Sequence, residues 1–162
     1  LDRNAGLVNG VLAQLGIARQ PFLVASSHAL WSIIGIVSWL GVPYWMVFFL
    51  AGLQGVPPSL REAAAIDGAT TWQTFWRVTF PLLRRVLAFV FISDTIANLF
   101  LFVPIYVLTR GGPQLSTNLL MYEAYRRGFA WGDLGTSSAM ISLLFMVVAG
   151  VVAVEFRFLR PR

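Results

Sequence analysis

Between His28 and Arg61 the chain carries no side chain that is charged at neutral pH once His28 is neutral. Within that interval Leu30–Leu53 is an apolar run of 24 residues. As a helix, at about 1.5 Å per residue, it reaches across a hydrocarbon layer about 30 Å thick. Such a run leaves few folds open. Hydrocarbon offers the backbone no hydrogen-bond partner, so a spanning segment satisfies its own N–H and C=O groups as a helix. Two further runs share this character: one from about Val86 to Leu108, behind Arg84-Arg85, and one from about Leu134 to Val154, ahead of Glu155 and a tail with Arg157, Arg160 and Arg162. The whole chain agrees. Its mean hydropathy is +0.73, and 12% of its residues are charged, against about 25% in an ordinary soluble domain. The expectation is an all-α, polytopic transmembrane helical bundle with spans at about 30–53, 86–108 and 134–154.

The spans carry breakers and polar groups. Pro43, after Gly41, is expected to kink or locally unwind the first. Trp31 reads as an interface anchor, whereas Trp39 and Trp45 sit too deep for that role and read as facing protein or a cavity. The second span holds Asp94 with Asn98 four residues on, placing both on one helix face. A charge at membrane depth costs about 2.5–3.5 kcal/mol on insertion scales, so that face should line protein or a water-filled path. Pro104 is expected to break this span near its outer end. Two short stretches read as helices at the membrane surface. In the first, Leu7, Val8, Val11, Leu12 and Leu15 form an apolar face with Asn9 and Gln14 off it. The second, residues 119–131, carries Tyr122, Tyr125, Phe129, Trp131 and Arg126-Arg127 and stops near Gly128. Residues 109–118, with Gly111-Gly112-Pro113, read as a loop.

A polar interruption separates the first two spans. Pro57-Pro58 end whatever precedes them, and Ser59 with Glu62 has the form of a capping box. Leu60, Ala63 and Ala64 give a slim apolar face. Gly68 ends the helix or admits another backbone, since it lacks a Cβ. Thr70 with Gln73 is a second capping-box pattern. Trp72, Phe75, Trp76, Thr79 and Phe80 then follow at helical spacing on one face. The stretch reads as a helix, a glycine elbow and a helix that runs into Pro81.

The spacing Glu62-Ala63-Ala64, three residues, Gly68, nine residues, Val78-Thr79-Phe80-Pro81 resembles the signature loop of ABC-importer permeases, the inner-membrane components of binding-protein-dependent transport. Val78 and Phe80 stand where that family more often has Ile and Leu. Ala51-Gly52-Leu53, Ala65-Ile66-Asp67-Gly68-Ala69, Phe80-Pro81-Leu82-Leu83 and Leu108-Thr109-Arg110-Gly111-Gly112-Pro113 narrow the resemblance to the carbohydrate-uptake branch, similar to permeases for maltose and sn-glycerol 3-phosphate. The resemblance implies the C-terminal part of one transmembrane domain, with further spans N-terminal to it. It implies that residues 57–81 form a cytoplasmic coupling loop whose first helix seats in a cleft of a separate ATPase subunit. Glu62, Ala63, Ala64, Asp67 and Gly68 would then face the ATPase, and Trp72, Phe75, Trp76 and Pro81 would anchor the loop to the spans. Plain helix capping is the other reading of Glu62. The resemblance further implies ATP-Mg on the partner ATPase and no cofactor on this chain, a second permease subunit, an extracytoplasmic solute-binding protein, and a bacterial or archaeal cytoplasmic membrane. Asp94 and Asn98 either face the translocation path or make an interhelical polar contact. Phe102-Val103-Pro104 stands where relatives often have Phe-Asp, which leaves the solute open. Tyr106 and the Thr109–Pro113 loop either meet the binding protein or form a turn.

Several chemistries are excluded or unsupported by the residues available. There is no Cys, so disulfides and thiolate metal sites are out. All twelve basic residues are Arg, so there is no P-loop lysine, and neither H-E-x-x-H nor G-x-G-x-x-G occurs. One histidine, His28, makes no catalytic constellation. The net charge of +5 does not point to nucleic acid, because the arginines flank apolar runs. Three spans place the Glu62 stretch and the C-terminus on one side, with Arg61, Arg77, Arg84, Arg85, Arg157, Arg160 and Arg162. The other side has Arg3, Arg19, Arg110, Arg126 and Arg127, which is a positive-inside bias toward a cytoplasmic loop. Three other functions compete. A permease of the same superfamily could carry amino acids or peptides. A membrane-embedded enzyme would need clustered acids, His or Cys at depth. A passive channel or scaffold would not need a loop that docks an ATPase.

Overall fold

A computed structural model describes residues 6–159. Its elements are α1 (Leu7–Gln14), α2 (Ser26–Gln54), α3 (Pro58–Ile66), α4 (71–82), α5 (Arg84–Leu99), α6 (103–109), α7 (120–130) and α8 (Leu134–Leu159). No strand occurs among the described residues. Three helices contain a widened π-turn: α4 at Phe75–Thr79, α6 at Ile105–Thr109 and α7 at Arg126–Ala130. Arg3, Arg160 and Arg162, which entered the charge count, lie outside the described residues.

Helices α2 and α8 have 29 and 26 residues, about 43 and 39 Å of helix, enough to cross hydrocarbon. Only 6% of the most apolar stretch of α2 and 11% of that of α8 is buried. Such broad apolar faces belong against lipid or other protein, not water. Helix α2 runs through Pro43 without a break, so the expected local unwinding does not occur; proline removes a single ladder bond, to the carbonyl of Trp39, and the turns on either side hold. The middle run differs more from expectation. It is not one helix over 86–108: α5 ends at Leu99, residues 100–102 are irregular, and the chain resumes as α6. Pro104 therefore lies in the first turn of a new helix, where its missing N–H costs nothing. The last run extends past the expected Val154, through Glu155 and Arg157, to Leu159.

The chain forms two compact units. In the first, which comprises residues up to Leu40 together with Leu99–Val147, the core is Ile33, Ile105 and Tyr122, with Leu23, Val37, Leu101, Phe102 and Leu119 packed on it. Here α1 inverts the expected polarity. Leu7, Val11 and Leu15 are exposed, whereas Asn9 is buried and its amide pairs both backbone groups of Gln20, at 3.0 and 2.9 Å. Asn9 thus ties α1 to the following loop, and the apolar side chains face outward as they would at a membrane surface. The helix α7 ends at Ala130, near Gly128 as expected, but Gly128 has a second role. It lies buried inside the π-turn of α7, where Ser137 of α8 approaches closely and donates a 2.7 Å hydrogen bond to the Ala124 carbonyl.

In the second unit, Gly41–Asn98 with the chain from Val148 onward, α2 and α5 meet at a notch. A Cβ on Gly52 would lie 2.8 Å from Val86 Cγ2. Tyr44, Trp45, Phe48 and Phe89 form a chain of ring contacts at 4.8–5.7 Å beside it.

The Gly128 contact yields a test. A Cβ there would sit 2.7 Å from Ser137 Oγ, and that hydroxyl cannot swing away without losing its buried bond. Gly128→Ala is expected to destabilise the fold by about 1–3 kcal/mol, read as a lower melting temperature of the detergent-solubilised protein.

Candidate functional site

The polar stretch folds as a helix–elbow–helix. Pro58 is the first residue of α3, and its fixed φ starts the helix two positions earlier than a Ser59 N-cap would. The N-cap is therefore Pro57, with no side-chain cap. The Ser59–Glu62 capping box does not form. Glu62 is exposed and makes no hydrogen bond or ion pair among the described residues. The other end closes as a Schellman motif: Gly68 N–H donates to Ala65 O and Ala69 N–H to Ala64 O, each at 3.0 Å. Gly68 has φ +77°, and a Cβ there would meet nothing within 4 Å. It is needed for its left-handed backbone; no other segment of the chain comes close.

Two residues later Thr70 caps α4 with the expected box. Gln73 N–H donates to Thr70 Oγ1 at 3.3 Å, and Thr70 N–H to Gln73 Oε1 at 2.9 Å. Of α3, Ala64 is the buried residue, while Glu62, Ala63, Asp67 and Gly68 are exposed and Ile66 is 86% exposed. The outward surface therefore presents small alanines, one bare isoleucine and two acids.

Along α4, Trp72, Phe75, Trp76 and Phe80 touch one another in a chain of mostly edge-on and tilted ring contacts, 4.9–6.3 Å between centroids. The π-turn over Phe75–Thr79 sets Phe75 beside Phe80, five residues on. The rings remain 37–69% exposed, and the buried side chain is Thr79. Pro81 is exposed and has no N–H to give to the Arg77 carbonyl. The ladder nevertheless continues: Leu83 N–H bonds Thr79 O at 3.1 Å and Leu87 N–H bonds Leu83 O at 2.8 Å. Only Leu83 separates α4 from α5.

Asp94 and Asn98 share a face of α5 as expected, but they do different things. Trp45 Nε1 of α2 donates to Asp94 Oδ1 at 2.6 Å. Asn98 is exposed and donates its amide to the Asp94 backbone carbonyl at 2.8 Å. Glu155, expected only as the residue that ends a span, has a partner inside the bundle. Thr95 Oγ1 donates to Glu155 Oε1 at 2.7 Å across 60 residues of sequence, and Glu155 Oε2 is buried with no hydrogen-bond partner. An acid followed by more apolar helix (Phe156, Phe158, Leu159) was the available signal.

The Thr109–Pro113 loop is closed from inside. Thr117, fully buried, places its hydroxyl 2.7 Å from both Thr109 Oγ1 and the Gly112 carbonyl. Below it Glu123 receives Asn118 Nδ2 at 2.9 Å, Arg127 Nε at 2.9 Å and Arg126 Nη2 at 2.7 Å. The Asn118 amide, then the two guanidiniums, hold the Glu123 carboxyl below its ordinary range, against an opposing push from burial. Asp133 caps α8 through Thr136 N–H at 3.0 Å, and its carboxyl is lowered too, first by the Thr136 hydroxyl and then by that backbone contact.

Comparison with known proteins places this geometry. The family model described as "Binding-protein-dependent transport system inner membrane component" matches residues 7–162. The chain is 36% identical over 158 residues to the sn-glycerol-3-phosphate transport system permease protein UgpA of Agrobacterium fabrum, covering 97% of this chain and 54% of that protein. It is 39% identical over 127 residues to a putative ABC transporter permease protein ORF1 of a Caldicellulosiruptor species, covering 77% of this chain and 91% of that one. The permease fold is shared with the crystal structure of a bacterial alginate ABC transporter in complex with an alginate pentasaccharide-bound periplasmic protein. There the TM-score is 0.80 at 21% identity, over 97% of this chain and 55% of that one. The chain spans about half the length of the UgpA relatives it matches.

The Glu123 cluster sets a pH dependence. Its folded-state pKa lies below the ordinary 4.5, so its stabilisation is present above that value and lost as pH falls through the lower folded value. From pH 7 to about 3 the melting temperature of the unaltered protein should fall further than that of Glu123→Gln; parallel melting curves check this.

Proposed function

We propose that this chain, which belongs to the family of binding-protein-dependent transport system inner membrane components, is the ATPase-coupled part of a permease subunit. That permease would belong to an ATP-driven importer of a carbohydrate or a related polyol or glycerol phosphate. The observation that carries the reading is the elbow at Gly68, whose two helix ends are closed by their own backbone and side chains while its outer face is left without intrachain partners. A bare isoleucine on a short polar helix is unfavourable in water. Burying Ile66 in a partner's cleft would return about 1.5–3 kcal/mol, with Ala63 leaving room for close approach and Glu62 and Asp67 offering charge to arginines. Of the five residues expected there, Glu62, Ala63 and Asp67 are assigned to that interface together with Ile66, while Ala64, which is buried, and Gly68, which sets the turn, hold the elbow that presents them. Trp72, Phe75, Trp76 and Pro81 are assigned to the membrane boundary, where half-exposed rings suit the headgroup layer.

On this reading residues 57–81 are cytoplasmic and the chain is a multi-pass protein of the inner membrane. It crosses three times: α2, then α5 with residues 100–109, then α8. Asn98, exposed on the same face of α5 as Asp94, is assigned with it to the edge of the solute path. The names of the UgpA relatives support the substrate class. ATP-Mg is bound by the ATPase subunits, a second permease subunit completes the path, and a solute-binding protein delivers the cargo outside. Nucleotide-driven closure of the ATPase pulls on α3, and because α4 continues into α5, the pull moves a spanning helix between inward- and outward-facing states.

The outer face of α3 holds nothing else in place, so its variants leave insertion intact. Ile66→Asp or Glu62→Arg in the full-length permease should lower co-purification of the ATPase subunit about tenfold or more, the yield of a loss near 1.4 kcal/mol. Gly68→Phe should do the same, and Gly68→Asn, which tolerates the left-handed backbone, should be milder. Undiminished co-purification and transport in Ile66→Asp would remove the basis of the proposal.

A further inference from the structure

Two adjacent residues of α5 reach two different helices. Asp94 accepts from Trp45 of α2, and Thr95 donates to Glu155 of α8. Successive side chains on a helix point about 100° apart, so α5 is gripped at one height from two sides. All four residues lie in the compact unit that also contains the elbow. We infer that Trp45 and Glu155 are positioning residues that lock α2 and α8 to α5, so that a displacement entering from α4 moves three helices as one body. This rests on the reading of the elbow as the ATPase-facing element.

Three features support it. Among the described residues α5 also makes apolar contacts, for example Phe89 against Phe48, and apolar surfaces bury similar areas in several registers, whereas a hydrogen bond is satisfied in one. Interhelical hydrogen bonds in membranes add little stability on average, so their use here is better explained by registration than by strength. Glu155 also keeps a buried oxygen with no donor, a costly arrangement that a purely structural contact would avoid by using an apolar pair. A rotation of α5 that broke either tie would strand a carboxylate among apolar side chains, which penalises α5 turning alone.

The test uses the full-length permease with its ATPase subunits and binding protein in proteoliposomes, with radiolabelled sn-glycerol 3-phosphate as the first probe and maltose as the second. Thr95→Val keeps the shape and removes the donor; Trp45→Phe removes the indole N–H. Both should retain the ATPase subunits and basal hydrolysis, while solute moved per ATP falls about fivefold or more. Thr95→Ser should match the unaltered protein. Thr95→Val with Glu155→Leu should be no worse than either alone, as expected of one coupled pair. The inference is overturned by an unchanged solute-to-ATP ratio in Thr95→Val, by Thr95→Ser being as impaired as Thr95→Val, or by Thr95→Val losing the ATPase subunits, which would mark the tie as merely structural. If the unaltered permease retains no ATPase subunit, the proposed function fails first, and the two failures are told apart.

Discussion

A peptide group in hydrocarbon finds no partner except another peptide group or a protein side chain, and most of this structure follows from that. It makes α2 and α8 uninterrupted over 29 and 26 residues and lets α2 continue through Pro43 with one ladder bond missing. It also decides where the chain is allowed to be irregular. The break at residues 100–102 does not lie bare: Leu101 and Phe102 pack on the Ile33–Ile105–Tyr122 core, and Phe102 touches the rings of Tyr106 and Tyr125. The same rule makes the few polar side chains inside these helices informative, because each needs a partner supplied by the fold.

Where the backbone leaves hydrocarbon, the constraint reverses. The stretch from Pro57 to Thr79 must end and restart helices in water within a few residues, and it does so with local devices: proline at the first position, a Schellman closure at Gly68, a reciprocal box at Thr70 and Gln73. Each satisfies backbone groups that an abrupt helix end would otherwise leave open. The outcome is a division of labour. Pro58, Ala64, Gly68, Thr70, Gln73 and Thr79 hold the elbow, and Glu62, Ala63, Ile66 and Asp67 are free to face a partner.

What was legible in the sequence tracks how local each determinant is. The Thr70–Gln73 box and the Gly68 turn involve residues three to five apart, and both form as the pattern says. The first and last spans are long enough that no local detail could overturn them. Ser59–Glu62 has the same pattern as Thr70–Gln73 but fails, because Pro58 claims the first helical position and moves the cap back. Gly128 reads as a place for α7 to end, and its second role as a point of contact is hidden because the Ser137 that needs the space is nine residues away across a turn. Asn9 reads as the polar side of a surface helix; its burial follows from the unpaired backbone of Gln20, which no periodicity reveals. The Thr95–Glu155 tie, 60 residues apart, has no sequence signature beyond an acid and a hydroxyl in apolar runs.

These ties bear on why the second unit holds one arrangement. Apolar helices in lipid gain little by exchanging lipid contacts for one another, so packing alone specifies register weakly. Here register is written three times over on α5. The Gly52 notch admits Val86 at a distance no Cβ would allow, the indole of Trp45 meets Asp94, and Thr95 meets Glu155. The notch fixes how closely α2 and α5 approach, and the two hydrogen bonds fix rotation and height. Any state in which α5 turned alone would leave a carboxylate without its donor at membrane depth, a penalty of about 1–3 kcal/mol by the ordinary cost of a buried unsatisfied group. A few kcal/mol is enough to make a body of three helices move together or not at all, and that is the property the proposed coupling through the elbow requires.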